Sequence, residues 1–307
     1  MLIRSFLFAI AIFNLSAFAE SSAHFVSTQE TKEHFSLTKE RFEQRWEAFQ
    51  KDRKFKPYEM GKTDAALTGE FEEILDTRQK VWATPGFEIA ENLMIGDYVR
   101  APGCVAFGFN NTVLNYNAST IYMEDKVYIA CEGPRSKDIP NFFQLLTTHH
   151  VTHLVRLTDS YEGETKKCHP YWDGLLAHLS DGADSLNIPR ETGVYTVRAF
   201  QMAHWRDNSG VAEDELLDMV CKIRQELKDT DGFLAVHCSA GVGRTGTFLA
   251  ALSIVDAIDR GIPFSIEEIV YRLSLQRVHS VSRTAQYMTL HRLADRYLDQ
   301  LALEKAS

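Results

Sequence analysis

The sequence predicts an α/β (α+β) fold: a single domain with a central mixed, twisted sheet flanked by helices, a helical C-terminal third and an N-terminal helical extension. Three observations predict it. Short β-like runs at 126–130, 153–158, 195–202 and 232–237 are interleaved with helical patterns at 141–149 and 213–227. Helical periodicity dominates after Thr245. The chain has 307 residues and 45% hydrophobic content, enough to bury one large core.

In chain order, residues 1–19 read as a secretory leader. Arg4 precedes an apolar run from Phe6 to Phe13, and Ala17-Phe18-Ala19 offers a small-x-small cleavage site before Glu20. That run is too short to span a bilayer with stable flanks, and no later stretch is long and apolar enough to cross one. The expectation is an exported protein, periplasmic or secreted, with no membrane span once the leader is cleaved. Residues 20–62 form the extension. Within it, 28–56 is charge-dense, and Phe42, Trp46 and Phe49 recur at helical spacing, which suggests an amphipathic helix that docks on the domain behind it. Pro57 and Gly61 punctuate its end. The main domain occupies 63–307 and opens with a helix at 67–81 that carries Phe71, Ile74 and Leu75 on one face.

A net charge of −9 argues against a nucleic-acid or anionic-membrane surface but leaves room for one local anion pocket. The five cysteines, at 104, 131, 168, 221 and 238, show neither a C-x-x-C pair nor metal-ligand spacing. Four of them could form up to two bridges in an exported protein, or stay free as buried thiols.

Chemistry concentrates in residues 237–247, His-Cys-Ser-Ala-Gly-Val-Gly-Arg-Thr-Gly-Thr. Cys238 and Arg244 lie six residues apart, between a strand-like run and a helical pattern. In such a strand–turn–helix, the backbone N–H groups of Ser239, Ala240, Gly241, Val242 and Gly243 converge at a helix N-terminus and cradle a phosphate dianion. The same cradle favours the thiolate of Cys238 and makes it a nucleophile. Arg244 adds a planar fork matched to phosphoryl oxygens, and the glycines at 241, 243 and 246 permit the tight turn. Phosphoryl transfer to sulfur is the implied chemistry. Gly241 to Gly246 also fits the G-x-G-x-x-G dinucleotide pattern. That reading needs a βαβ unit with an acidic residue about 20 positions on, whereas helix follows helix here, and it leaves Cys238 and Arg244 without a purpose. A structural cysteine before a glycine-rich turn explains neither the arginine nor the spacing.

The run resembles the H-C-x-x-G-x-x-R-[ST] loop of the cysteine-dependent protein tyrosine phosphatases, in the form typical of their tyrosine-specific branch; with the leader, the likeness is to an exported bacterial-type member. The resemblance covers about 65–303 and implies roles for further residues. Trp205-Arg206-Asp207 stands where that family carries its W-P-D loop, so Asp207 would be the general acid and then the base, on a loop that lacks the proline. Lys167-Cys168, followed by Tyr171-Trp172, looks like the K-C-x-x-Y-W run, with Lys167 near the acid loop. Glu162 resembles the acidic brace of Arg244. Ala130-Cys-Glu-Gly-Pro134 and Tyr116-Asn-Ala-Ser119 echo two further segments. Gln286 matches the second glutamine of the water-positioning loop, and Ser282 stands in place of the first. Tyr98 is the candidate aromatic wall for a substrate ring, although Ile95-Gly96-Asp97 replaces the usual basic triplet. Thr245 would donate to the departing thiolate, and His237 would orient the loop from behind.

The reading is hydrolysis of phosphotyrosine in proteins or peptides through a phosphocysteine on Cys238. No metal or cofactor is required, because arginine and backbone amides supply the electrostatic stabilisation. Two alternatives stay open: an inositol-polyphosphate phosphatase, since some exported bacterial phytases share this loop, and a catalytically impaired phosphotyrosine-binding module, suggested by the altered acid loop and the missing glutamine. The target, the oligomeric state and the role of residues 20–60 are not written in the sequence.

Overall fold

The structure is a computed structural model that describes residues 28–83, 116–181, 183–202, 204–228 and 230–306. Two helices lead: α1 (Thr28–Gln50) and α2 (Asp64–Trp82). The sheet region follows as β1 (Ala118–Met123), β2 (Lys126–Cys131), α3 (Ile139–Thr148), β3 (Val151–Arg156), β4 (Tyr161–Glu162), β5 (Thr165–Lys166), β6 (Leu176–His178), β7 (Asp184–Arg190), β8 (Gly193–Gln201), α4 (Glu213–Glu226) and β9 (Phe233–His237). Three helices close the chain: α5 (Gly243–Asp259), α6 (Ile266–Ser274) and α7 (Thr284–Ala306). None of the described helices is long and apolar enough to cross a membrane.

Among the described residues, seven strands make one sheet in the order β1-β2-β9-β3-β8-β7-β6, and β4 and β5 make a separate hairpin. The four middle strands run parallel, while β1, β7 and β6 are antiparallel to their neighbours. The mixed sheet with helices around it is the architecture expected from the sequence. β9 lies at the heart of the parallel group. Its Leu234, Ala235 and Val236 are at most 1% exposed, as a strand covered on both faces requires.

Register places the site. Cys131, His237, Arg156 and Gln201 are successive partners across β2, β9, β3 and β8, so the four parallel strands end level with one another. The loops that leave them therefore emerge together at the carboxyl edge, where open α/β sheets bind ligands.

α5 is buried along nearly its whole length and packs against α4, α6, α7 and β9. α1 ends at Gln50 rather than near 56, and it docks on β1 and α6. Phe42 and Trp46 are buried, and the Arg272 guanidinium lies 4.9 Å and 5.4 Å from their ring centroids while pairing with Glu43. The Thr38 and Tyr122 hydroxyls are hydrogen-bonded, and Lys39 Nζ donates to the Glu124 carbonyl at 2.7 Å. Burying two large aromatic side chains contributes roughly 1.5–3 kcal/mol each. Cys131, Cys168, Cys221 and Cys238 are free thiols; Cys104 lies outside the described residues.

Candidate active site

β9 delivers His237 and Cys238 to the sheet edge, and α5 begins five residues later at Gly243. Between them the chain turns tightly. Gly241 has φ +71°, and a Cβ there would overlap the Cys131 carbonyl oxygen, so glycine alone fits. The Gly241 N–H donates to Cys238 Sγ at 3.2 Å, and Cys238 is buried, with 3% of the residue exposed. Behind the loop, His237 Nδ1 donates to the Cys238 carbonyl at 3.0 Å and Nε2 lies 2.8 Å from the Tyr171 hydroxyl. Since a carbonyl only accepts, Nδ1 carries the proton, and in the neutral ring Tyr171 donates to Nε2. Gly133 N–H to the Ser239 carbonyl (3.0 Å) and Ser239 Oγ to the Lys167 carbonyl (2.9 Å) fasten the near side.

Arg277 fastens the far side. Its guanidinium is fully buried and donates to the carbonyls of Gly241 (2.6 Å) and Ala240 (3.3 Å), to Asn117 Oδ1 (3.0 Å) and carbonyl (3.4 Å), and to Ser119 Oγ (3.1 Å). In a trans peptide the C=O and N–H point opposite ways. Pulling the Ala240 and Gly241 carbonyls outward therefore turns the N–H groups of Gly241 and Val242 inward. The Gly241 N–H on sulfur shows this directly.

Arg244 rises from the first turn of α5 with a side chain that is 0% exposed. Nη1 donates to Glu162 Oε1 and to the Trp205 carbonyl, each at 2.7 Å. Nη2 lies 3.3 Å from Asp207 Oδ1 without making a hydrogen bond, and among the described residues neither Nη2 nor Nε has a hydrogen-bond partner. Buried donors left open in this way are costly unless a ligand fills them. Glu162, on the β4–β5 hairpin, also accepts the Asp207 N–H at 3.0 Å, and Lys167 Nζ donates to Asp207 Oδ2 at 2.8 Å. Burial pushes the Asp207 carboxyl up. The Lys167 hydrogen bond, the charges of Arg244 and Lys167 and the Asn208 N–H outweigh burial, and they hold the carboxyl below the usual carboxylate range.

Opposite the acid loop, Gln286 is buried and its Oε1 accepts from Ser282 N–H at 2.9 Å. Both residues overhang the start of α5: a Cβ on Gly243 would lie 2.5 Å from Ser282 Oγ and 2.9 Å from Gln286 Nε2. Gln286 Oε1, 3.1 Å from the same point, is held by Ser282, which leaves Nε2 as the amide's donor at the edge of the cradle.

Residues 108–189 and 177–296 match the protein-tyrosine phosphatase family, together more than half of the chain. The chain belongs to the protein-tyrosine phosphatase family. It is 27% identical over 231 residues to human receptor-type tyrosine-protein phosphatase epsilon, which covers 64% of this chain and 33% of that protein. It is 30% identical over 205 residues to zebrafish (Danio rerio) receptor-type tyrosine-protein phosphatase F, covering 59% of this chain and 11% of that one. The chain thus spans a third or less of the length of these relatives. The fold is shared with the catalytic domain of human protein tyrosine phosphatase non-receptor type 18, at a TM-score of 0.68 and 22% identity over 76% of this chain and 96% of that one. A complex of that phosphatase with HER2 phosphopeptides gives a TM-score of 0.67 at 22% identity, over 76% of this chain and 93% of that one.

Within this phosphatase-family chain, the structure brings Cys238, Arg244, Asp207, Lys167, Glu162, Ser282, Gln286 and His237 around one cradle. The buried hydroxyl of Thr245, in the first turn of α5, has no hydrogen-bond partner among the described residues, and the Gly241 N–H is a donor to the sulfur. Tyr98 lies outside the described residues. Sequence reasoning missed Arg277 as a brace of the cradle. Its available signal was an arginine next to Gln276, at the end of an apolar helix and just before the water-positioning segment.

Proposed function

We propose that this chain hydrolyses phosphotyrosine in proteins or peptides through a phosphocysteine on Cys238. The observation that carries the reading is Arg244, on the same turn as the buried Cys238: two of its buried donor nitrogens have no hydrogen-bond partner among the described residues, and the Asp207 carboxylate lies 3.3 Å from one of them. A phosphoryl group between Cys238 and Arg244 would fill those donors. Cys238 Sγ then attacks phosphorus, the bond to the phenolic oxygen breaks, and Asp207 gives its proton to the leaving phenolate. Water next attacks phosphorus, the sulfur–phosphorus bond breaks, and Asp207 takes the water's proton. Gln286 Nε2 is placed to hold that water by its oxygen, leaving the proton toward Asp207, and Ser282 fixes the Gln286 amide.

Asp207 must be protonated to act first, yet Lys167, Arg244 and the Asn208 N–H favour its ionised form. A bound dianion resolves this, because it neutralises Arg244 and adds negative charge beside the carboxyl, so substrate binding itself promotes protonation. The W-P-D proline is absent, but the Asp207 backbone and side chain are held by Glu162 and Lys167, which argues against an impaired binding module.

The test compares phosphate release from a phosphotyrosyl peptide and from phytate by the wild type and by Cys238→Ser. Release from the peptide that vanishes in C238S supports the reading. Hydrolysis of phytate with the peptide untouched transfers it to inositol polyphosphates, and full activity in C238S ends it. Export remains a proposal supported by Arg4, the apolar run 6–13 and the 17–19 cleavage pattern. A mature N-terminus other than Glu20, or retention in the cytoplasmic fraction, would overturn it.

A further inference from the structure

The acid loop and the water-positioning loop meet beside the cradle, and among the described residues a side-chain contact joins them. Arg283 Nε donates to Asn208 Oδ1 at 2.9 Å, over 75 residues of sequence. Asn208 directly follows Asp207. It sits at φ +60°, a left-handed conformation that asparagine adopts more readily than most residues, and its N–H donates to Asp207 Oδ1 at 3.2 Å. Arg283 directly follows Ser282, and its carbonyl accepts the N–H of Gln286 at 3.0 Å and of Tyr287 at 3.1 Å, in the first turn of α7. The contact therefore links the neighbour of the proposed acid to the neighbour of the proposed water-holding pair.

The loop has particular need of such a contact. Arg206 stands where proline would preset φ, so closure depends on bonds from outside the loop. The other anchors come from the cradle and the hairpin side: Glu162 to the Asp207 N–H, Lys167 to its carboxylate, and Arg244 to the Trp205 carbonyl. From the α7 side, Thr289 Oγ1 donates to the Val211 carbonyl at 3.4 Å at the end of the loop, and Arg283 reaches the residue next to Asp207.

We propose that Arg283 and Asn208 form a clasp that holds the acid loop closed over the cradle and ties its closure to the water-positioning loop. Arg283 is thus a positioning residue that acts on Asp207 through Asn208. The proposal rests on the phosphatase reading above. Both side chains are exposed, and exposed pairs of this kind bias an equilibrium by about two- to fivefold.

Two aryl phosphates of similar size give the readout. A phenolate leaving group, with a conjugate acid near pKa ~10 like tyrosine's, needs the proton from Asp207. The para-nitrophenolate group leaves readily and needs it far less. Arg283→Met should lower kcat/KM for phenyl phosphate about two- to fivefold and affect para-nitrophenyl phosphate less, and Arg283→Lys should restore most of the loss. Asn208→Gly keeps the left-handed backbone but removes the acceptor, so adding R283M to N208G should cost nothing more. If R283M costs as much in N208G as in the wild type, Arg283 acts elsewhere, for instance on substrate directly, and the clasp is wrong. Equal losses on both phosphates, or no loss, also overturn it. A wild type inert toward both phosphates would instead overturn the phosphatase reading beneath it.

Discussion

Arg277→Met is the perturbation that most directly probes how the cradle is built. The substitution keeps the apolar stem and deletes a fully buried guanidinium that donates to five acceptor atoms among the described residues. Asn117 O retains the Glu132 N–H at 3.0 Å, whereas the carbonyls of Ala240 and Gly241 lose their donor in the interior. Each buried acceptor left open costs about 1–3 kcal/mol. The relief of no longer burying a cation offsets part of this, and breaking such a buried network typically costs about 3–5 kcal/mol. Urea unfolding should show a loss in that range. Function should suffer more than stability implies. With the two carbonyls released, the N–H groups of Gly241 and Val242 are no longer turned inward, and one lost donor of this kind costs about 10²–10³ in rate. At a temperature where R277M is fully folded, kcat/KM for an aryl phosphate should fall at least about 10²-fold, with weaker inhibition by inorganic phosphate. A variant within about 1 kcal/mol of the wild type and within about threefold in kcat/KM would refute the carbonyl-turning role.

Three further perturbations follow from the same geometry. Lys167→Met removes the main influences that lower the Asp207 carboxyl against its burial, so its pKa rises; since the acid must be protonated, the descending limb of the kcat/KM–pH profile should move to higher pH, and an unmoved or lowered limb would contradict the assignment. Glu162→Gln weakens the grip on both Arg244 and the Asp207 N–H, and should lower kcat/KM about tenfold, the equivalent of one charge-assisted hydrogen bond; wild-type kinetics would count against the brace. His291 is buried with neither ring nitrogen hydrogen-bonded among the described residues, and burial, followed by the Lys62 charge, pushes its pKa down to about 4. The unfolded chain binds that proton near pH 6.5, so stability is intact above that pH and is lost as pH falls toward about 4, by about 2–3 kcal/mol from this group; His291→Phe should flatten that part of the urea-unfolding profile, and parallel profiles would refute it.

Much of the site was legible because its chemistry is local in sequence. The 237–247 run holds nucleophile, cradle and arginine within one strand–turn–helix, and the strand-like 232–237 became β9, the central strand that places it. Asp207 could be found through the resemblance of Trp205-Arg206-Asp207 to the family's acid loop, and it reaches the cradle because β8, β3 and β9 end level at one edge. What escaped notice was non-local. β1 is buried at every position, so Ala-Ser-Thr-Ile-Tyr-Met shows no alternation, and its Ser119 is polar because it serves Arg277 across 158 residues. β7 contains Asp184, Asn187 and Pro189, residues poor in strand propensity, and it forms because β8 and β6 flank it on both sides. Arg277 shows its role only once the acceptors that β1 and the cradle bring to it are in place.

The central claim is a covalent phosphoryl group on Cys238 during turnover. Acid quenching of the wild type in steady state with a phosphotyrosyl peptide, followed by mass analysis of the proteolytic fragment that contains Cys238, tests it most directly. The account predicts one phosphoryl group on that fragment, its absence in C238S, and its accumulation in Gln286→Ala as water attack slows. Turnover by the wild type with no phosphoryl group on that fragment, or with the group on another residue, would contradict it.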